Sequence, residues 1–596
     1  MKQLYFLYLA LFLVVTSPGI AQQNITVTNP EVGLILKGNY DPNDYLPSNT
    51  INQPDDITDG ILAEVSPDSL KQYLLTLATF ENRNTGSDTS STTFGMGAAR
   101  RWAYSKMESF SELQENRLRV SYLQFDQDIC GMGQHRNVFA VLPGIGPHKE
   151  ELVFVEAHMD SRCEDGCDTQ CRAHGMEDNG SGTALVLELA RVMSRFAFDR
   201  TLVFLITTGE EQGLFGAEAF AIYCVQNQIP VRAVYNNDIV GGIICGQTAS
   251  PPGCPGLNEI DSINVRLYST GPGRHLARFA HLEYQEELRT KMPVPTVLNI
   301  MSREDRVGRG GDHIPFRERG FPAMRFTSAN EHGDGNPGQA NYEDRQHSME
   351  DVLGVDSDGD SVIDSFFVDF NYLARNAIIN GNSMAMSALG PPPLEDFIID
   401  RVDNGFRYEI VDPTDNGLYR LGIRPNTTIY FDTLVFVTKK IDTIYFLEPG
   451  TLYYLTAATV DSNDIESQFT NEAFNFFTTG LEEQSYLSDG GITLLQNRPN
   501  PFDEATTISV LVERPVRYQK AFIRVADTQG RELARYDIEL RPGLSEILYG
   551  YEKHQYRLSV AEQINYLEYN LKGANEVKGG VLQKNNQHDP FPSFRP

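Results

Sequence analysis

The chain has 596 residues, 41% of them hydrophobic and 22% charged, with a formal net charge of -30. That length exceeds what one core usually fills, so about two to four domains are expected. The charge argues against nucleic acid and anionic membrane as partners, because long-range repulsion opposes both.

In chain order, Lys2, the apolar run Leu4 to Val15 and the small residues Gly19-Ile20-Ala21 read as a signal peptide over 1–21. The run is too short to span a bilayer and no later run is longer, so no membrane insertion is expected. The expected location is secreted, extracellular or on the cell surface. Seven cysteines in an exported chain predict disulfides with at least one thiol left over. Cys163, Cys167 and Cys171 crowd one insertion, Cys245 and Cys254 bracket a Pro/Gly-rich loop, and Cys130 stands alone in a turn. Cys224, in an apolar helical stretch, is the expected free and buried thiol.

Residues 22–65 are polar with scattered Pro, Asn and Asp, and read as an N-terminal arm. Ser66 opens a helix whose apolar side is Leu70, Tyr73, Leu74 and Leu77. Strands are then expected at Asn137 to Leu142, Leu152 to Glu156, Thr201 to Thr207 and Ala233 to Asp238. Helices are expected at Gly182 to Phe196 and Ala217 to Val225. Such alternation predicts an α/β domain over 66–390, with a mostly parallel sheet flanked by helices. At Pro391-Pro392-Pro393 the pattern changes to short alternating strands, which predicts a small β-sandwich over 394–478. A further region, 494–596, opens at Leu494.

Ligands bind at the carboxyl ends of strands in open α/β sheets, because the loops there converge on one crevice. Chemistry-bearing fragments stand at those ends: His158-Met159-Asp160, Glu177-Asp178-Asn179-Gly180, Gly209-Glu210-Glu211 and Asp238, with His347 far downstream. Each fragment alone has an ordinary reading, as a hydrogen-bonded pair, a helix cap, solvated charge or a turn. Their conjunction at consecutive strand ends makes a nitrogen- and oxygen-rich metal site.

The order and wording of these fragments resemble the two-zinc aminopeptidases of the bacterial leucyl aminopeptidase and aminopeptidase Y type, over about Ser66 to Leu389. Gly311-Asp312-His313-Ile314-Pro315-Phe316 and Gly320-Phe321-Pro322-Ala323 add to the match. The resemblance implies that His158 and Asp238 bind one zinc, Glu211 and His347 the other, and that Asp178 bridges both. It implies Glu210 as general base that takes a proton from water to leave a hydroxide shared by the two Zn2+ ions, and Asp160 as the residue that holds the His158 ring. Asp312 and His313 are read as pocket support, and Tyr342 as a loose counterpart of an oxyanion-stabilising tyrosine. The Cys163 to Cys171 insertion is expected to rim the cleft, and the loop Glu331 to Gln346 to act as a lid. Peptides are the implied substrates.

Asp356, Asp358, Asp360 and Asp364 occupy positions 1, 3, 5 and 9 of a candidate Ca2+ loop, yet Ser361 and Val368 stand where a glycine and a bidentate glutamate belong. An acidic turn is the ordinary reading. The 394–478 region resembles a fibronectin type III domain in Gly450-Thr451-Leu452-Tyr453-Tyr454. Leu494 to Phe502 with Thr506 to Val510 resembles the start of a type IX secretion sorting domain, which names the secretion machinery as a partner. The final strands of such a domain are not recognisable in the sequence. The competing readings are a zinc carboxypeptidase with Arg303, Arg306 or Arg309 as carboxylate receptor, a glutaminyl cyclase relative, and an inactive secreted binding or adhesion protein.

Overall fold

Parallel strands covered on both faces need unbroken apolar runs, and the runs at 152–158, 201–207 and 231–237 organise the first part of the chain. The computed structural model describes residues 22–245, 256, 258–305, 310–329, 345–360, 362–402, 405–448, 451–475 and strand segments between 485 and 581. The expected signal peptide, Cys254, Arg306, Arg309, Tyr342 and most of the expected lid lie outside the described residues.

The chain divides into two compact units, residues 1–391 with 462–468, and residues 392–461 with 469–596. In the first, the polar arm supplies β1 (Gln23–Val27), α1 (Pro30–Ile35) and α2 (Pro54–Glu64). Then come α3 (Pro67–Ala78), α4 (Gly95–Leu113), β2 (Arg119–Ile129) and β3 (Met132–Leu142). Ser66 caps α3 by accepting the Ser69 N–H at 3.2 Å. The alternating stretch is β4 (Leu152–His158), α5 (Gly182–Met193), β5 (Thr201–Thr207), α6 (Phe215–Gln226) and β6 (Val231–Asn237). It continues with β7 (Asn264–Tyr268), α7 (Pro272–Glu283), β8 (Val297–Ile300), α8 (His313–Glu318), β9 (Ala323–Ser328) and α9 (Phe370–Leu389).

Nine strands form one sheet in the order β1-β2-β3-β5-β4-β6-β9-β7-β8. Strands β5, β4, β6 and β9 run parallel, so their carboxyl ends share one edge. Strands β1 to β3 add antiparallel on one side. The arm is therefore part of the sheet: β1 pairs with β2, and Val32, Ile35, Leu36 and Tyr45 are buried in the same core as Phe139, Phe154 and Phe220. Helix α9 is buried over most of its length, and its Asn376 donates to the Val240 carbonyl at 2.7 Å while Asn380 accepts from Asn237 at 2.9 Å. These bonds brace the turn after β6. Among the described residues no helix is long and apolar enough to cross a membrane.

The second unit is antiparallel throughout the strands described. Asp396–Val402, Gly405–Val411 and Ile441–Ile444 form one sheet. Thr433–Val437, Tyr419–Pro425, Tyr453–Thr459 and Ala473–Asn475 form another. Phe397, Phe406, Tyr419, Leu421 and Leu455 share one buried core. Two further four-stranded sheets follow, and they include strands Tyr566–Leu571 and Lys578–Val581 that the polar, irregular sequence there does not announce.

Candidate metal centre

At the shared edge the fragments converge. His158 is the last residue of β4, Glu210 and Glu211 follow β5 through Gly209, and Asp238 follows β6 directly. Gly209 has φ +78°, a left-handed conformation that glycine adopts without strain. Asp178 lies in the turn before α5, and its peptide bond to Asn179 is cis.

The His158 Nε2 atom lies 3.3 Å from Asp178 Oδ1 and 3.5 Å from Asp238 Oδ1. His347 Nε2 lies 3.0 Å from Asp178 Oδ2 and 3.2 Å from Glu211 Oε2. Asp178 thus turns one oxygen to each imidazole. Tetrahedral zinc with bonds of about 2.0–2.1 Å sets its ligand atoms about 3.3 Å apart, the spacing found here. His158 Nε2, Asp238 Oδ1 and Glu211 Oε1 are buried without a hydrogen-bond partner. Buried polar atoms left orphaned call for a ligand, His158 Nε2 and Asp238 Oδ1 face each other at 3.5 Å, and this mix of imidazole and carboxylate suits zinc. All five side chains therefore meet, and the residues present fit the metal.

Glu210 Oε2 stands 4.0 Å from His158 Nε2, with the side chain 13% exposed. Burial pushes the Glu210 carboxyl well up, assisted by Asp238, Asp312 and Asp178. For His158 burial acts downward, and Glu210 with Asp160, Asp178 and Asp238 more than reverses it. For Asp178 burial acts upward, and the two histidines outweigh it, holding the carboxyl well below the usual range.

Asp160 holds the His158 ring differently from the expectation. Its main-chain carbonyl sits 3.0 Å from Nδ1, whereas its carboxylate is 3.7 Å away, beyond hydrogen-bond range. That carboxylate instead accepts the main-chain N–H groups of Glu210 at 3.3 Å and Glu211 at 3.1 Å. One residue so orients the ring and both glutamates.

Four further residues frame the site, and no sequence motif singled them out for these roles. Buried Arg83 donates to the carbonyls of Met159 and Gly175 at 2.8 Å each and to that of His174, joining the His158 loop to the Asp178 loop. Burial lowers Arg83 only to about 10, so it stays charged at neutral pH. Asp351 accepts from the Glu177 N–H at 2.9 Å and the Asp178 N–H at 3.0 Å, which clips the His347 segment onto the Asp178 turn. Arg325, 1% exposed on β9, reaches Asp238 Oδ2 and Asp305 Oδ2 at 3.0 Å each. Arg162 reaches Glu211 and His347. Asp312 and His313 are buried, and Asp312 accepts from Thr207, the register partner of His158. Burial raises Asp312 to about 7.

The cysteine insertion is fastened twice, by Cys163–Cys171 and by Cys130–Cys167. Cys130, read as standing alone, pairs with the insertion because the turn between β2 and β3 folds against it. Cys245 is also disulfide-bonded, and Cys224 is free and buried. Asp356, Asp358 and Asp360 bring ligand atoms within 4.8 Å of one another, fully exposed. Their oxygens accept N–H groups of their own turn, at 2.7 Å for Asp356 and 3.1 Å for Asp358, as in an ordinary acidic turn.

An α/β sheet with a two-histidine, three-carboxylate cluster at its carboxyl edge fits the metal centre of a zinc-dependent hydrolase. Residues 137–244 match peptidase family M28. A probable zinc metalloprotease of Leptosphaeria maculans is 31% identical over 343 residues, 55% of this chain and 75% of the relative. Another, of Pyricularia oryzae, is 30% identical over 367 residues, covering 58% and 69%. The chain belongs to peptidase family M28 and is a zinc metallopeptidase. Among solved structures it is similar to the Legionella pneumophila LapA aminopeptidase, with 19% identity, TM-score 0.40 and coverage of 58% and 78%.

Proposed function

We propose that this metallopeptidase is a secreted aminopeptidase that uses two zinc ions to remove N-terminal residues from peptides. The observation that carries the reading is Asp178, whose two oxygens face His158 at 3.3 Å and His347 at 3.0 Å. His158 and Asp238 would hold one ion, His347 and Glu211 the other, with Asp178 between them. Zinc bound there supplies Lewis acidity toward the scissile carbonyl and lowers the pKa of a water nucleophile toward 7.

The remaining work falls to the chain. Glu210, beside the ligands, takes the proton of the attacking water and delivers it to the departing amine. Asp160 keeps the Glu210 and Glu211 main chain and the His158 ring in register. The surplus of carboxylates at the cleft suits a free α-ammonium group, which favours action at the N-terminus. Arg325 takes one oxygen of Asp238 and leaves the other turned to His158. Arg325→Met is expected to weaken zinc retention about 10–100-fold, with Arg325→Lys intermediate. Competition against a chromogenic chelator measures it, and unchanged retention in both variants would remove Arg325 from this role.

The test of the activity itself uses leucyl-4-nitroanilide and its N-acetylated form. Hydrolysis of the free-amine substrate is expected, lost with 1,10-phenanthroline and regained with added zinc. Cleavage of only the blocked substrate would overturn the aminopeptidase reading. Export through residues 1–21, a fibronectin type III-like module over 394–478 and a type IX sorting segment over 494–596 belong to the same proposal. The disulfides support an oxidising compartment.

A further inference from the structure

Arg162 is the residue just before Cys163, at the mouth of an insertion closed by Cys163–Cys171 and tied to the β2–β3 turn by Cys130–Cys167. Its main chain is therefore fastened beside the metal centre. The side chain is 23% exposed, while that of Glu211 beside it is 3% exposed. Nε donates to Glu211 Oε2 at 3.0 Å, and Nη2 stands 2.7 Å from His347 Nδ1.

A guanidinium has donors only, so in this contact Nδ1 accepts and the neutral ring carries its proton on Nε2. Nε2 is the atom turned toward Asp178 and Glu211, at 3.0 and 3.2 Å. A histidine that ligates zinc through Nε2 carries its proton on Nδ1 instead, and two donors would then face each other. The two uses of the ring exclude one another. Nε has no such conflict, because a carboxylate oxygen has lone pairs for two partners, and Glu211 Oε2 can accept from Nε while it faces the same point as His347 Nε2. With the His347 contact given up, the guanidinium would stay anchored through Nε, and its Nη groups, on a side chain 23% exposed, would be open to a substrate acceptor.

Resting on the aminopeptidase reading above, we infer that Arg162 receives a carboxylate of the substrate and makes the enzyme select peptides carrying one next to the scissile amide. Guanidinium and carboxylate match as a two-bond fork, which an ammonium cannot reproduce. The carboxylate can be the side chain of an acidic N-terminal residue or the C-terminus of a dipeptide.

The experiment uses the zinc-loaded full chain with glutamyl- against leucyl-4-nitroanilide, and Leu-Gly against its C-terminal amide. In the wild type one pair favours the carboxylate member, and the responding pair names its source. In Arg162→Met that preference is expected to fall about 10–100-fold, as loss of a charged hydrogen-bonded pair implies, mainly through KM. Arg162→Lys recovers part of it. Equal preference in wild type and Arg162→Met overturns the inference. Titration calorimetry of glutamate against glutamine, and of glycylglycine against its amide, reads the same selectivity without turnover. Absence of all free-amine hydrolysis would sink the aminopeptidase reading alone, and calorimetry would still decide Arg162: an Arg162-dependent preference supports it, and none overturns it.

Discussion

Glu210→Gln lowers kcat/KM by about 10²–10⁴-fold, the range of a positioned general base, while zinc content stays at the wild-type level. Glutamine keeps the volume of the side chain and loses only the capacity to take up a proton. The main-chain N–H of residue 210 still bonds Asp160, so the loop is undisturbed. The carboxylate lies 4.0 Å from His158 Nε2, farther than those of Asp178 and Asp238 at 3.3 and 3.5 Å. On the proposed mechanism that larger distance leaves Glu210 as base and not as ligand. Elemental analysis beside the rate measurement checks the assignment. If zinc falls together with activity, Glu210 is a ligand, as its proximity to His158 and Asp238 within 4.8 Å would permit. Full activity in the variant would remove it from the chemistry.

Asp178→Ala is expected to have the larger structural effect, with zinc affinity reduced by well over about 100-fold and activity lost with it. Its two oxygens are the link between His158 and His347, so neither half retains its full ligand set once the carboxylate is gone. Removal also leaves buried His158 and partly exposed His347 without the carboxylate between them, an unfavourable arrangement for any charge they carry. Asp351→Asn is the informative companion, because it keeps the carboxylate of Asp178 and alters only the acceptor of two main-chain N–H groups. A milder loss of zinc is expected there. Undiminished zinc binding by Asp178→Ala would refute the bridging arrangement.

The α/β architecture is legible because it follows from local patterns, while the full five-residue set, with His347 far downstream, is legible only through the resemblance to the two-zinc aminopeptidases. Apolar runs locate β4, β5 and β6, and the polar residues just past each run fall on the sheet edge. The supporting residues were not legible in that way. Asp351 acts on main-chain groups about 170 positions away, and no periodicity records such a contact. Arg325 left a faint signal, a charge between Met324 and Phe326 in an apolar strand, since a buried arginine demands a partner. Arg162 stands just before the cysteine insertion, and nothing in its spacing marks it as a neighbour of Glu211 and His347. The pairing of Cys130 with Cys167 needed the β2–β3 turn to fold over that insertion, which spacing alone does not reveal.

The arm at residues 22–65 has a practical consequence. Strand β1 is the outermost strand and covers the open side of β2, while Val32, Ile35 and Leu36 plug the layer beneath. A shortened chain beginning at Ser66 would bare the backbone donors and acceptors of β2 beside an apolar hollow. Exposed edges of that kind template pairing between chains, so trimming the protein to begin at Ser66 would promote aggregation.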